Sequence, residues 1–414
     1  TTQRAAFSES AQFRELLLVA TKAKQAQSGE ESKDFFKCAI VNLKQIPKDA
    51  RDARSLAHKI RAIASRRPLY EDEDMTIKVI RQRDLRDSVD NLFKLLPSTM
   101  GDVDELWVEL TQRSEAKLIP LEEYLKKTNG SIVRGVQVWK GDIVFAPHMF
   151  VLKDEQRALK SYDQWFIEKR TKSGIVAKNR VTMATVKIPE KALACGLRRL
   201  SGIPTLDVTE ELDYVVIKQF DGIEKFVAKK EVLKHVRDWR EYATERLCHL
   251  SIAGRYDISA SGTNFVAFFS EKEAIPTQML WCLRGLSIED AKVIATWMNS
   301  TVSLLQIMKE RKETRGPFIQ LLAYALRKLK IINPKVLSLG ERRLLVKTFD
   351  KVRTVRFPSI LQQLKTAFPA RKEMDKAVLK VLGFSEEETE RLVSTLYSGL
   401  AKEIDELKQI LKGK

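Results

Sequence analysis

The chain has 414 residues, with 73 Lys or Arg against 55 Asp or Glu and a formal charge of +18. Its 44% hydrophobic content excludes a largely disordered chain; 31% charged residues, with no apolar run of spanning length, exclude a helical membrane protein. Cys38, Cys195, Cys248 and Cys282 stand far apart with no CxxC pair, which argues against a disulfide framework or zinc ribbon and for a reducing, cytoplasmic compartment.

In chain order, Phe13 to Thr21 and Phe35 to Leu43 are apolar, β-compatible runs separated by a polar loop. Runs of this kind are usually buried on both faces of a sheet, so they either complete a sheet built elsewhere or pair as a hairpin. Asp49 to Arg66 places Ala53, Leu56, Ala57, Ile60 and Ile63 at helical spacing, stopped by Pro68. A second helix is predicted over Asp102 to Arg113. From Lys117 short β-prone runs alternate with glycine-marked turns: Ile132–Val138, Ile143–Leu152, Val181–Ile188, Tyr214–Gln219 and Phe265–Phe269. Ser287 to Met308 reads as one long helix with Ser287 as its N-cap. Beyond Leu339 the pattern is helical throughout, with a capping box at Ser385 and Glu388.

The charge is concentrated. Arg157 to Leu200 carries 11 basic residues against 3 acidic ones, and Lys309 to Arg356 carries 14 against 4, so these stretches hold the whole excess. Such stretches are the electrostatic footprint of a polyanion, and nucleic acid fits better than a membrane surface, which would call for a basic amphipathic helix with an aromatic apolar face. Within the first stretch Lys169, Arg170, Lys172, Lys178 and Arg180 flank Ser173-Gly174, a glycine-turned loop able to track a phosphate backbone. Within the second, Lys309, Arg311, Lys312 and Arg315 lead into Gly316-Pro317. A solvated surface loop is the competing reading of both. Arg327, Lys328 and Lys330 read equally well as contacts or as ordinary exposed cations. Trp139, Phe145, Phe150, Trp165 and Phe166 fall at strand spacing and are expected in a core rather than stacked on bases.

Catalytic signatures are missing. The chain has no GxGxxG, no GxxxxGK[ST], no GxSxG and no HExxH, and its histidines (His58, His148, His235, His249) are scattered. Neither a catalytic residue nor a metal site is expected within it.

Several stretches resemble the C-terminal part of N6-adenine DNA methyltransferases of restriction–modification systems. Phe7-Ser-Glu-Ser with Phe13-Arg-Glu-Leu-Leu-Leu-Val-Ala looks like a late strand of that family's catalytic domain, and Ala39-Ile-Val-Asn-Leu like its hairpin partner. Ile132-Val-Arg-Gly-Val136 is similar to the turn opening the recognition region, which marks Arg134 and Gly135 as a structural turn. Trp297-Met-Asn-Ser-Thr301, late in a helix that begins Leu286-Ser-Ile-Glu-Asp-Ala, resembles a helix of the same family, as does the loop, helix and exit over Arg311 to Asn333. Arg371-Lys-Glu-Met-Asp375 with Leu379-Lys-Val-Leu-Gly383 looks like the closing helices of larger members. The family's Asn-Pro-Pro-aromatic and Phe-x-Gly-x-Gly signatures are not found. The resemblance therefore implies a fragment or processed chain without the S-adenosylmethionine-binding core, whose sheet would begin upstream of Thr1.

The expected fold is α+β: a strand pair left over from a Rossmann-like methyltransferase domain (1–48), a helical connector (49–118), a mixed α/β target-recognition domain (119–336) and a C-terminal helical region (337–414). The expected partners are duplex DNA and a methyltransferase catalytic domain in cis or trans, with S-adenosylmethionine bound there and not in this chain. The alternatives are a stand-alone nucleic-acid-binding or scaffold subunit, or a protein-interaction subunit docked through the neutral C-terminal helices.

Overall fold

The computed structural model describes residues 37–43, 47–81, 103–137, 146–158, 164–227, 234–310 and 316–412. The chain folds as an α+β protein in two compact units, one drawn from residues 1–106, 308–320 and 399–414, the other from 107–307 and 321–398.

In the first unit β1 (Lys37–Leu43) is followed by α1 (Ala50–Ala64), β2 (Leu69–Glu71) and β3 (Met75–Arg81). Asp49 caps α1 by accepting the Arg51 and Asp52 amides, and α1 packs on β3 with Leu56, Ile60 and Ile63 half-buried. β1 pairs antiparallel with β3 from Lys37 opposite Arg81 to Leu43 opposite Met75, and β2 covers the other edge of β3. The partner of β1 thus lies downstream, in the stretch expected to be a helical connector. The run expected as its hairpin partner, Phe13 to Thr21, lies outside the described residues.

The second unit holds the larger core. After α2 (Val103–Arg113) and β4 (Leu118–Pro120) come α3 (Leu121–Lys127), β5 (Ser131–Arg134) and β6 (Phe150–Val151). Next follow β7 (Trp165–Thr171), β8 (Gly174–Asn179), β9 (Thr185–Pro189), β10 (Leu193–Leu197) and β11 (Asp213–Val216). Then come α4 (Val236–Thr244), β12 (Cys248–Ala253), β13 (Ala267–Pro276) and β14 (Leu280–Arg284). Helices α5 (Ile288–Met298), α6 (Thr301–Glu310) and α7 (Ala323–Lys328) lead to β15 (Lys330–Ile332). The chain closes with α8 (Leu339–Val352), α9 (Ile360–Lys365), α10 (Pro369–Leu382) and α11 (Glu386–Lys412).

The central sheet runs β5-β14-β12-β13-β10-β11-β6, antiparallel except where β10 lies parallel to β13. β7, β8 and β9 form a separate three-stranded meander, and β4 pairs with β15. Phe150, Trp165 and Phe166 are all in the core, as their spacing predicts; Trp139 and Phe145 lie outside the described residues. Every side chain of α5 from Asp290 to Met298 except Lys292 is buried, so this helix sits inside the unit, against the sheet on one side and α8 on the other.

The long helix expected over Ser287 to Met308 is instead two helices, broken at Asn299-Ser300. Ser287 does cap the first, accepting the Asp290 amide. The break falls at Asn299, whose side chain both closes the helix, Nδ2 donating to the Ala295 carbonyl at 3.0 Å, and bonds the strand beside it. Its Oδ1 accepts the Val266 and Ala267 amides at 2.9 and 3.1 Å, and its Nδ2 donates to the Ala267 carbonyl at 2.9 Å. Ser300 Oγ then accepts the Ser303 amide and starts α6.

One residue further on, the Asp375 carboxylate accepts the Thr301 amide and the Thr301 hydroxyl, each at 2.6 Å, and the Tyr397 hydroxyl at 2.7 Å. Arg371 Nε donates to Thr301 Oγ1 at 2.9 Å and its NH1 to Gln363 Oε1 at 2.8 Å. Gln363 Nε2 donates to the Asn264 carbonyl at 2.8 Å. Arg371 and Asp375 are 3% and 1% exposed, so each depends on the network for its solvation. Asp375→Ala strands Arg371 and three donors in the interior and should cost about 3–5 kcal/mol. Tyr397→Phe, which removes one donor, should cost about 1 kcal/mol. Urea midpoints of the two variants check this; equal losses would mean the carboxylate is replaceable.

Helix α8 opens with a capping box in which Ser338 and Glu341 exchange hydrogen bonds, and Lys117 Nζ reaches the Glu341 carboxylate at 2.5 Å. The hydrogen bond from Lys117 pulls the Glu341 pKa down to about 2 from an ordinary 4.5. A carboxyl with a depressed folded-state pKa stabilises the fold above its unfolded value and loses that contribution as the pH falls through the folded one. Glu341→Gln should therefore be less stable than the parent chain at neutral pH and converge with it near pH 2. Denaturant midpoints followed across that range test the pair, and a constant offset would refute it.

Candidate nucleic-acid interface

The first basic stretch folds into the β7-β8-β9 meander. Its strands alternate: Ile175, Ala177, Val186 and Ile188 are buried in the core, whereas Lys169 and Lys187 are exposed. Lys169, Val176 and Lys187 are register partners across the three strands, which places the two lysines on the outer face roughly 10 Å apart, two inter-strand spacings. Lys178, two residues along β8 from Val176, shares that face. A bulge between Ile167 and Lys169 sets Glu168 against Lys178 at 3.5 Å.

Lys172 and Ser173 form a two-residue connection between β7 and β8, closed by Thr171 opposite Gly174. Gly174 has φ +149°, and a Cβ there would lie 2.1 Å from the Ile188 carbonyl oxygen, so the basic turn needs glycine. Arg170, though exposed, is engaged by its neighbour: its guanidinium donates to the Tyr214 hydroxyl at 2.7 Å and lies over that ring. Arg180 donates to the Ala158 carbonyl at 3.0 Å. Among the described residues Lys169, Lys172, Lys187 and Lys191 hold no ion pair. Of the five cations that the sequence singles out here, Lys169 and Lys172 remain available to a ligand, Lys178 shares its charge with Glu168, and Arg170 and Arg180 serve internal contacts. Lys187 escapes a reading of the sequence because it sits outside the loop; the alternation of Val186 and Ile188 around it is the signal that points to it.

The second basic stretch differs. Arg342 pairs with Asp290 at 2.7 Å and Glu289 at 3.2 Å, Lys335 with Asp290 at 3.4 Å, and Lys351 with Glu373 at 2.7 Å. Arg353 binds Asp207 at 3.0 Å and also reaches Glu271, and Arg327 lies 3.9 Å from Glu122. Five of its fourteen cations thus tie α7 and the region of α8 to the rest of the second unit, while Lys328, Arg343, Lys347 and Arg356 are exposed and, among the described residues, hold no ion pair. Lys309 lies in the last turn of α6, in the part of that helix assigned to the first unit; Arg311, Lys312 and Arg315 lie outside the described residues.

Arg134 and Gly135 serve the scaffold. Arg134 Nε donates to the Gln278 carbonyl at 2.9 Å, and its own carbonyl accepts from Arg246. Gly135 does not have a left-handed φ; it is needed because a Cβ would lie 2.1 Å from the Thr277 carbonyl oxygen where β5 meets the β13–β14 connection. Asp213, wholly buried beneath the meander's neighbouring strands, accepts the Lys153 and Arg198 amides and faces Arg157 at 3.5 Å. Burial pushes its pKa up to about 6. Its neighbours fix backbone rather than face a cavity, so it acts as a structural anchor. Among the described residues no group of His, Cys, Asp and Glu side chains could hold a metal ion, and no helix is long and apolar enough to cross a membrane.

The class defined by fold and site is an α+β protein with a helix-covered mixed sheet and a lysine-faced antiparallel meander. No protein-family model matches the chain, and no curated protein matches it. A solved structure, that of the type IIG restriction endonuclease BpuSI, shares the fold, with a TM-score of 0.53 and 14% sequence identity over 90% of this chain and 40% of that one. The chain therefore spans about two fifths of the length of that enzyme.

Proposed function

We propose that this chain is the DNA-reading portion of a restriction–modification enzyme, one that positions a target adenine for N6 methylation by a catalytic domain in cis or trans. The observation that carries the reading is the meander: a sheet face with Lys169 and Lys187 exposed and unpaired, and Lys172 at its glycine-dependent turn. Backbone phosphates are the ligand such a face suits, because lysines on a rigid strand place point charges without committing to a base. The fold shared with a type IIG restriction endonuclease supports the system, and the sequence resemblance supplies the adenine-N6 chemistry. S-adenosylmethionine supplies the methyl group in that chemistry. In this reading it binds the catalytic domain and not this chain.

Binding to duplex DNA should weaken steeply with salt, each neutralised phosphate adding roughly 0.9 to the log–log slope. Lys169→Ala, Lys172→Ala and Lys187→Ala should each lower that slope by about 1, with similar loss on unrelated sequences. Lys351→Ala, which removes a cation already paired with Glu373, should leave it unchanged. Filter binding across a salt series checks both. Preference for structured RNA over duplex DNA in competition would instead favour a stand-alone nucleic-acid-binding subunit.

A further inference from the structure

The turn joining β8 to β9 holds two large apolar side chains out in solvent. Val181 is 68% exposed and Met183 60% exposed. Scattered exposed apolar residues carry no message by themselves. These two differ in being held there by a fully bonded turn. Asn179 Oδ1 accepts the Val181 and Thr182 amides at 2.9 and 3.0 Å, while the Asn179 carbonyl accepts the Met183 amide at 2.9 Å. The Asn179 amide donates to the Ala184 carbonyl at 2.8 Å, and Arg180 ties the base of the turn to Gln164 and Ala158. Met183 itself sits at φ 58°, a left-handed conformation that strains a non-glycine residue. Glycine would remove that strain, and the sequence has methionine. The turn thus keeps an apolar tip extended that a flexible loop would fold back onto the surface.

The tip lies at one end of the lysine-faced meander, and the Lys172 turn lies at the other. Between them β8 spans six residues, about 20 Å, or roughly six base-pair steps. Cations that hold phosphates beside an apolar point that enters the stack are the combination by which proteins unstack and kink a duplex. We infer that Val181 and Met183 form a wedge that enters a base step of duplex DNA held along the Lys169–Lys187 face. The inference rests on the DNA-binding reading and gives that surface a second role, opening the stack, which precedes removal of a base from it.

Permanganate oxidises thymines that have lost stacking, and sequencing across a plasmid of several kilobases locates them even where the target site is unidentified. The full chain should retain the plasmid on a filter and create discrete reactive thymines. Val181→Ser combined with Met183→Gly should retain the plasmid with the same salt slope and lose those thymines; glycine fits the left-handed position, and neither replaced side chain is buried. Val181→Ile should keep them. Retention by the unaltered chain without reactive thymines, or their persistence in the double variant, overturns the wedge and leaves the DNA reading standing. Failure of the unaltered chain to retain duplex at all removes both. If sedimentation shows the double variant losing self-association while its thymine pattern is unchanged, the tip pairs two copies of this chain and the wedge is wrong.

Discussion

The second unit is held around the buried carboxylate of Asp375. Thr301, Tyr397 and Arg371 converge on it, and through Gln363 and Asn264 the same network reaches the strand that enters the central sheet. Asn299, two residues before Thr301, clasps that strand at Val266 and Ala267 from the other side. Sheet, buried helix and closing helices are therefore locked at one point where a helix is interrupted. An all-apolar junction would pack as tightly, but packing alone tolerates sliding. Hydrogen bonds of fixed direction to backbone amides admit one register, and an incompletely satisfied version would be worse than none.

This bears on how the sequence can be read. The stretches Trp297–Thr301 and Arg371–Asp375 stand in the sequence as separate likenesses to one family; in the fold they are two halves of a single network. Helix caps are legible, at Ser287 and Ser385, because a cap is a local exchange between one side chain and the next three amides. The interruption at Asn299 is not, since the strand that its side chain bonds lies 33 residues upstream, at the Val266 amide. The same distinction explains the strands. Lys37–Leu43 is visible as a strand, yet its partner Met75–Arg81 is not, because its apolar residues, Met75, Ile77, Val79 and Ile80, break strict alternation near its end. β7 and β8 hide under their own cations, which a charge count reads as loop.

Charge counting also measures the wrong quantity. Net charge along the sequence cannot tell a lysine facing water from an arginine whose carboxylate partner is distant in the chain. Arg342, Lys351 and Arg353 draw partners from Asp290, Glu373 and Asp207, each outside the stretch that contains them. Of these, the exposed Lys351–Glu373 pair adds little stability by itself, but all three remove cations from the pool available to a polyanion. The meander escapes this because its only nearby acid on the strands, Glu168, is taken up by Lys178. Two stretches of similar charge in the sequence thus become, in the fold, one whose paired cations cross-link helices beside exposed Lys328, Arg343, Lys347 and Arg356, and one whose free lysines share a sheet face.

That division gives the outward surface its mechanical character. The inner side of the meander is anchored by Ile175, Ala177, Val186 and Ile188 in a core shared with Trp165 and Phe226, and Arg170 is fastened to Tyr214 at its margin. A lysine on such a sheet loses little backbone freedom when it meets a phosphate, because that freedom was already lost in folding. Binding by a preordered face leaves more of the electrostatic gain available to act on the partner. A flexible basic loop would use that gain in ordering itself. In the proposed DNA-reading role this sheet, with both turns closed by their own hydrogen bonds and an apolar tip held clear of its surface, directs that gain at the shape of the duplex.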